Sequence, residues 1–182
     1  MARVSTREEI LSAAATLFAT NGYKGTSLHD IAVAVGCSKA TLLYHFATKE
    51  MILATLVAAP VRDLATLTER LAGQPAESAR DQAIEGFVDL VVTYRREIAV
   101  IFHDLPYLLH GESFADLKEL IEHLAAALAG GSTESDVLLG VKVIMAGTAL
   151  VAVDPVESEN VEANSLEIRA ALIDVARRAL TH

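Results

Sequence analysis

Between Ser38 and Lys49 the chain sets out a hydroxyl, an ammonium, a second hydroxyl, a phenol, an imidazole and a second ammonium, at Ser38, Lys39, Thr41, Tyr44, His45 and Lys49. No nucleophile motif accompanies them, and the chain has no glycine-rich phosphate loop and no HExxH pair. What the set shares is hydrogen-bonding capacity toward phosphate oxygens and base edges. Ala40 and Thr41 are small, so the segment can approach a surface closely. The Thr41 hydroxyl suits a base edge, and the methyl groups of Ala40 and Thr41 suit a thymine methyl. Lys39, Tyr44, His45 and Lys49 suit backbone phosphates. Upstream, Thr26 and Ser27 open a helix whose first N–H groups lack partners, which is a ready anion site.

A second group lies at His103, Tyr107 and His110, spaced i, i+4, i+7 and so on one face of a continuous helix. One reading makes them the polar side of a small-molecule pocket, with Phe87, Tyr94 and Phe102 as apolar lining. A metal site from His103, Asp104 and His110 is a second reading. In a third they are exposed or satisfied in the core, with Pro106 breaking the helix between them. The expectation taken forward is a pocket, with no metal and no cofactor.

The elements that must position these groups read as helices throughout. Ser5 with Glu8, and Thr6 with Glu9, have capping-box spacing. Ile10, Ala14, Leu17 and Phe18 then form a helical stripe, and Gly22 suits the left-handed stop of a helix over about 6–21. Thr26 or Ser27 caps a second helix with Leu28, Ile31, Ala32 and Val35 inward, ended by Gly36. Ser38 caps a third, Lys39 to Phe46, with Leu42, Leu43 and Phe46 inward. A short turn holding Gly36 and Cys37 joins the two, which is the form of a helix-turn-helix. Cys37 reads as a small buried hydrophobe rather than a redox sensor.

Thr48 caps a fourth helix over about 49–71, with Pro60 inside it and a kink or break expected near Ala58–Ala59. Pro60 is either a hinge or an ordinary kink. Further helices are expected over 77–103, 114–128, 134–153 and 163–181, with linkers at Gly73–Pro75 and at Gly130–Thr133. Lys142 sits among apolar residues, where a snorkelling stem is the simplest account. The apolar run 137–153, interrupted by Lys142 and glycines, reads as a buried helix rather than a membrane span. The fold expected is all-α: a three-helix DNA-binding domain over 1–47, then a larger helical domain over 48–182.

Charge bears on the partner. The net charge of the 182-residue chain is −9, against a simple nucleic-acid binder. Residues 1–50 nevertheless hold five Lys/Arg against four acids, while the rest hold ten against twenty. A near-neutral head on an acidic body can dock while the body limits non-specific adhesion. One cysteine excludes an internal disulfide and fits a reducing compartment. No signal-peptide h-region is visible at the N-terminus, so a cytoplasmic location is expected.

The run Ile10-Leu11, Ala13-Ala14, Leu17-Phe18, Gly22-Tyr23, Thr26-Ser27, Ile31-Ala32, Gly36 to Phe46 and Lys49-Glu50 closely resembles the DNA-binding region of the tetracycline-repressor (TetR) family. The resemblance covers about forty residues. It departs at Cys37, where the family usually has Val. It implies a helical homodimer that binds a double-stranded palindromic operator and is released by a small-molecule effector. It also implies dimerisation through the last two helices, where Gly140, Ala146, Gly147 and Ala149 are small enough for close packing. A ligand-responsive regulator, a repressor as is typical of the family and not an enzyme, is the resulting expectation. A helical metal-dependent hydrolase and a protein-interaction scaffold are the rival readings.

Overall fold

The computed structural model describes residues 5–110, 114–153 and 161–180, all helix, turn or loop. The first helix, α1 (Thr6–Gly25), starts at a capping box: the Ser5 side chain accepts the Glu8 N–H and the Glu8 carboxylate accepts the Ser5 N–H. Both Ser5–Glu8 bonds cap exposed groups. Hydrogen bonding from Ser5 also holds the Glu8 carboxyl below its ordinary pKa. Ile10, Ala14 and Phe18 are fully buried along one stripe.

At Gly22 the backbone turns to φ 76°, ψ 160°, a region glycine enters without strain. The expected stop is therefore a sharp kink, after which one more helical turn carries Tyr23 and Lys24.

Helix α2 (Leu28–Val35) is capped by Ser27 rather than Thr26, with Asp30 completing the box. Gly36 closes it at φ 74°, ψ 26°, and the Cys37 N–H returns to Ala32 O. Helix α3 (Lys39–His45) follows at once, capped by Ser38. Leu42 and Phe46, four apart, are buried against the head core. Leu43, expected inward, is 39% exposed. A helix this short has one inward line, and Leu43 stands about 100° off it.

Helix α4 (Lys49–Leu71) runs through Pro60 without the break that was one of the two expectations there, and buries Ile52, Leu53, Leu56, Val57, Pro60, Leu64, Leu67 and Leu71. Tertiary packing along this face holds the helix through the lost ladder bond. By length and composition α4 could cross a membrane, but its apolar face is the core of the bundle.

The single helix expected over 77–103 is two, α5 (Ala76–Thr93) and α6 (Arg95–His103), divided at Tyr94. The next division falls at Asp104, not at Pro106. Pro106 occupies the first turn of the short α7 (Leu105–His110), where a missing N–H costs little. Helices α8 (Ala115–Leu128), α9 (Ser135–Val153) and α10 (Val161–Leu180) complete the chain, close to expectation.

Helix α1 packs chiefly on α6, and α5 packs on α4, α8 and α10. One hydrophobic cluster runs from Ile10 through Ile52, Val88, Val100 and Leu124 to Leu180. Helix α9 departs from a buried helix. Val141 and Ala149 are buried, but Leu139, Val143, Leu150 and Val151 are exposed, as are Leu166 and Val175 on α10.

Candidate nucleic-acid interface

Two faces of the N-terminal head carry polar groups, and they are built differently. On the outer face, α3 presents Lys39, Ala40, Thr41 and Tyr44 to solvent, with Tyr44 87% exposed. The Ser38 hydroxyl accepts the Thr41 N–H at 3.0 Å and shares a hydrogen bond with the Thr41 hydroxyl at 2.8 Å. Ser38 is thus a cap that also fixes the Thr41 rotamer. The His45 ring stands edge-on to Tyr44, 5.3 Å between centroids. No hydrogen bond or ion pair to another described residue holds Lys39.

Beside this face, Ser27 begins α2. Its hydroxyl and N–H both meet the Asp30 carboxylate, at 2.7 and 2.8 Å. These bonds hold the Asp30 carboxyl below its usual range. The α2 N-terminus therefore carries a fixed negative charge of its own. The N–H groups of the first turn left without a side-chain partner are those of Leu28 and His29, and the Ser27 hydroxyl is taken by Asp30.

The inner face contains two residues that the sequence had placed on DNA. Thr26 is 2% exposed, and its hydroxyl donates to Gly22 O at 2.9 Å and Leu17 O at 3.2 Å. The Lys49 ammonium donates to Tyr23 O at 2.5 Å and Thr26 O at 2.6 Å and lies 4.2 Å from the Tyr23 ring centroid. Burial lowers the Lys49 pKa, opposed by the charges of Asp104 and Asp30. Both side chains repair the backbone groups that the Gly22 kink leaves open, and neither is presented outward. For Lys49 the sequence held a signal. A cation in the first turn of a helix opposes the dipole, so a specific acceptor had to hold it there.

The kink also takes the Tyr23 N–H out of the helical ladder. It donates instead to the Asp104 carboxylate at 2.6 Å, a buried bond across 81 residues of sequence. The His103 ring lies against Gly22: a Cβ placed there would stand 2.7 Å from His103 Cε1. Tyr107 stacks on Tyr23 with centroids 5.0 Å apart, and Phe18 meets Tyr23 edge-on at 5.4 Å. Burial, then hydrogen bonding to Tyr107, pushes the Tyr23 phenol up to about 12. Arg96 adds hydrogen bonds from α6 to Ser12 and Thr16 of α1. The head is thus held to the body through the end of α6 and the start of α7.

These contacts reassign part of the expected pocket. His103 and Tyr107 belong to the joint with the head, because the turn at Asp104 points them away from the body's interior. Tyr94 donates to Asp63 at 2.5 Å in a separate shallow groove. That bond raises the Tyr94 pKa. The His110 side chain lies outside the described residues. Phe87 and Phe102 do line a cavity, of about 380 Å³, between α4, α5, α6, α8 and α9 and the start of α7. Its wall includes Pro60, Leu64, Val91, Ile98, Ile101, Leu105, Leu124 and Met145, with Lys142 the one charged lining residue among those described. Pro60 therefore belongs to the cavity wall. Sequence reasoning missed Ile98, Ile101 and Leu105, whose pattern is that of any core helix. Among the described residues no group of three or more His, Cys, Asp or Glu side chains is placed to hold a metal ion, and the Asp104 carboxylate is committed to the Tyr23 amide.

A three-helix head with an exposed, capped second helix of a helix-turn-helix, set on a larger helical body, defines a DNA-binding regulator. Residues 10–56 match the family model described as bacterial regulatory proteins, tetR family. The HTH-type transcriptional repressor KstR2 of Rhodococcus jostii (strain RHA1) is 27% identical over 141 residues, covering 72% of this chain and 69% of that protein. The biofilm operon icaADBC negative transcriptional regulator IcaR of Staphylococcus aureus (strain Newman) is 48% identical over 46 residues, which is 25% of each chain. The ketosteroid transcriptional regulator KstR2 of Mycobacterium tuberculosis shares the fold, with TM-score 0.70 at 18% identity and 96% of each chain covered. Residues 10–56 thus carry a DNA-binding region of the tetR-family type, and the whole chain shares the fold of such regulators.

Proposed function

We propose that the protein is a ligand-responsive repressor that binds a palindromic operator as a homodimer and leaves it when a small molecule fills the cavity. One observation carries this reading. Ile98, Ile101, Phe102 and Leu105, spaced i, i+3, i+4, i+7, line the cavity, while His103 and Asp104 between them hold Gly22 and Tyr23 of the head. One segment thus has the cavity on one side and the DNA-binding head on the other. A ligand that fits one position of this segment better than another shifts the head by that difference in affinity, and by no more.

In this reading residues 1–47 form the DNA-reading unit. Ala40, Thr41 and Tyr44 meet base edges, and Ser27, Ser38, Lys39 and His45 lie toward the phosphates. A seven-residue reading helix on an acidic chain needs a second copy. The exposed apolar residues Leu139, Val143 and Leu150 on α9, with Leu166 and Val175 on α10, support a dimer through these helices. Two reading helices then meet successive major grooves about 34–36 Å apart, so a small change in their separation loses contacts in both half-sites. A cytoplasmic location follows from this role. The neighbour described as a ketosteroid regulator agrees with an apolar effector, as does the apolar wall.

The test is selection of bound sequences from randomised duplex DNA, followed by mobility shift and sedimentation. A palindrome bound by two chains is expected, with binding lost in a Lys39→Ala/Thr41→Ala double variant. A folded dimer that shows no sequence preference at low salt overturns the reading.

A further inference from the structure

Resting on that reading, the structure also points to the kind of molecule the cavity takes. Nearly all the lining side chains are buried or half-buried. The exceptions are Phe102, Lys142 and Ala146, which line the cavity and are exposed. They mark its mouth, between α6 and α9. Among the described lining residues everything deeper is hydrocarbon or aromatic ring, with no carboxylate, amide, hydroxyl or imidazole. A polar group on a ligand therefore has no partner among the described interior residues, and burying it there unpaired is unfavourable. At the mouth it meets Lys142.

Lys142 is built to receive such a group. Lys142 lines the apolar wall and is exposed, and a lysine so placed can lay its stem on hydrocarbon and keep its ammonium at the water boundary. No carboxylate among the described residues pairs with it, although the chain as a whole carries 24 Asp and Glu against 15 Lys and Arg. In an acidic protein, a cation left unpaired at the rim of an apolar cavity selects the sign of the ligand's charge. A volume of about 380 Å³ is at the small end of ordinary small-molecule sites, roughly 300–1,000 Å³, and suits one compact apolar body.

We propose that the effector is an apolar acid: a chain or ring body that fills the cavity and carries one anionic group at the mouth, held by the Lys142 ammonium. Specificity then has two parts. The wall selects for shape and hydrophobicity, and Lys142 selects acids over the matching alcohols, esters and amines.

The experiment uses the full chain and two probes of equal length, dodecanoate and 1-dodecanol, titrated by calorimetry at pH 7.5. Dodecanoate is expected to bind at least ten-fold more tightly. Lys142→Met should bring the two together, and Lys142→Arg should keep the preference. Lys142 is exposed in the single chain, so neither variant disturbs the core, and sedimentation of each variant checks that the α9 face still dimerises. Absence of dodecanoate binding, or a preference unchanged in Lys142→Met, overturns the proposal. A mobility-shift arm keeps the two readings apart. If the acid binds through Lys142 yet leaves operator binding unchanged, the anchor stands and the ligand-responsive repressor fails.

Discussion

The two faces of the head use the same residue types for opposite purposes. On the inner face, around Gly22 to Thr26, the polar groups are used on one another. The Thr26 hydroxyl and the Lys49 ammonium meet backbone carbonyls, and the Tyr23 amide meets Asp104. On the outer face, Lys39 has no such partner and Tyr44 touches little besides His45. A threonine, a lysine and a tyrosine occur on each side. Residue type therefore does not mark the reading face. What marks it is hydrogen-bonding capacity left over after the fold has taken what it needs.

If the inner face is structural, changes there should cost stability first. The largest effect is expected at Gly22→Ala. A non-glycine residue in that conformation costs about 1–3 kcal/mol, and the new Cβ must also displace the His103 ring. Thermal unfolding should show a clear fall in Tm. An unchanged Tm would mean that the kink relaxes freely and the joint is loose. Asp104→Ala follows. It leaves the Tyr23 N–H buried without a partner, at about 1–3 kcal/mol. It should also weaken the link between cavity and head, so that a bound effector releases DNA less completely. Loss of stability with unchanged release would restrict Asp104 to a structural role.

How much of this was legible in the sequence follows the same division. The outer face was readable because caps are local. Ser5 with Glu8, Ser27 with Asp30, and Ser38 before a short apolar pair each declare a helix start within four residues. The inner face was not, because its bonds join residues far apart in the chain, such as Tyr23 to Asp104. The bonds that engage the Lys49 ammonium, 23 and 26 residues away, were hidden for that reason. The body was legible as helices but not as a cavity. Ile98, Ile101 and Leu105 follow the i, i+3, i+7 pattern of any buried helix, and only packing reveals that they surround space. The division of 77–103 at Tyr94 left no punctuation by glycine or proline.

A cap on the outer face provides a sharper case, because it belongs to both categories. Ser38→Ala removes the oxygen that accepts the Thr41 N–H and frees the Thr41 hydroxyl. The stability cost should be about 1 kcal/mol, the usual value for a lost N-cap. Operator affinity should fall as well, because Thr41 loses its fixed rotamer. Calorimetric unfolding and a mobility shift on the same sample separate the two effects. A stability loss with full affinity retained would show that Thr41 does not depend on Ser38 for its orientation.

The smallest effect on the fold is expected at Lys39→Ala, and it is the most direct test of the outer face. With no hydrogen bond or ion pair to another described residue, the side chain can be truncated within about 0.5 kcal/mol of the parent stability. If Lys39 meets a phosphate, its loss removes one released counterion. Binding should then weaken nearly equally for operator and random DNA, and the salt dependence of log K should become shallower by about one unit per chain. A change confined to one operator position would instead place Lys39 on a base edge. A stability loss matching that of Gly22→Ala would mean that Lys39 is held by the fold after all, and the contrast between the two faces would disappear at its clearest point.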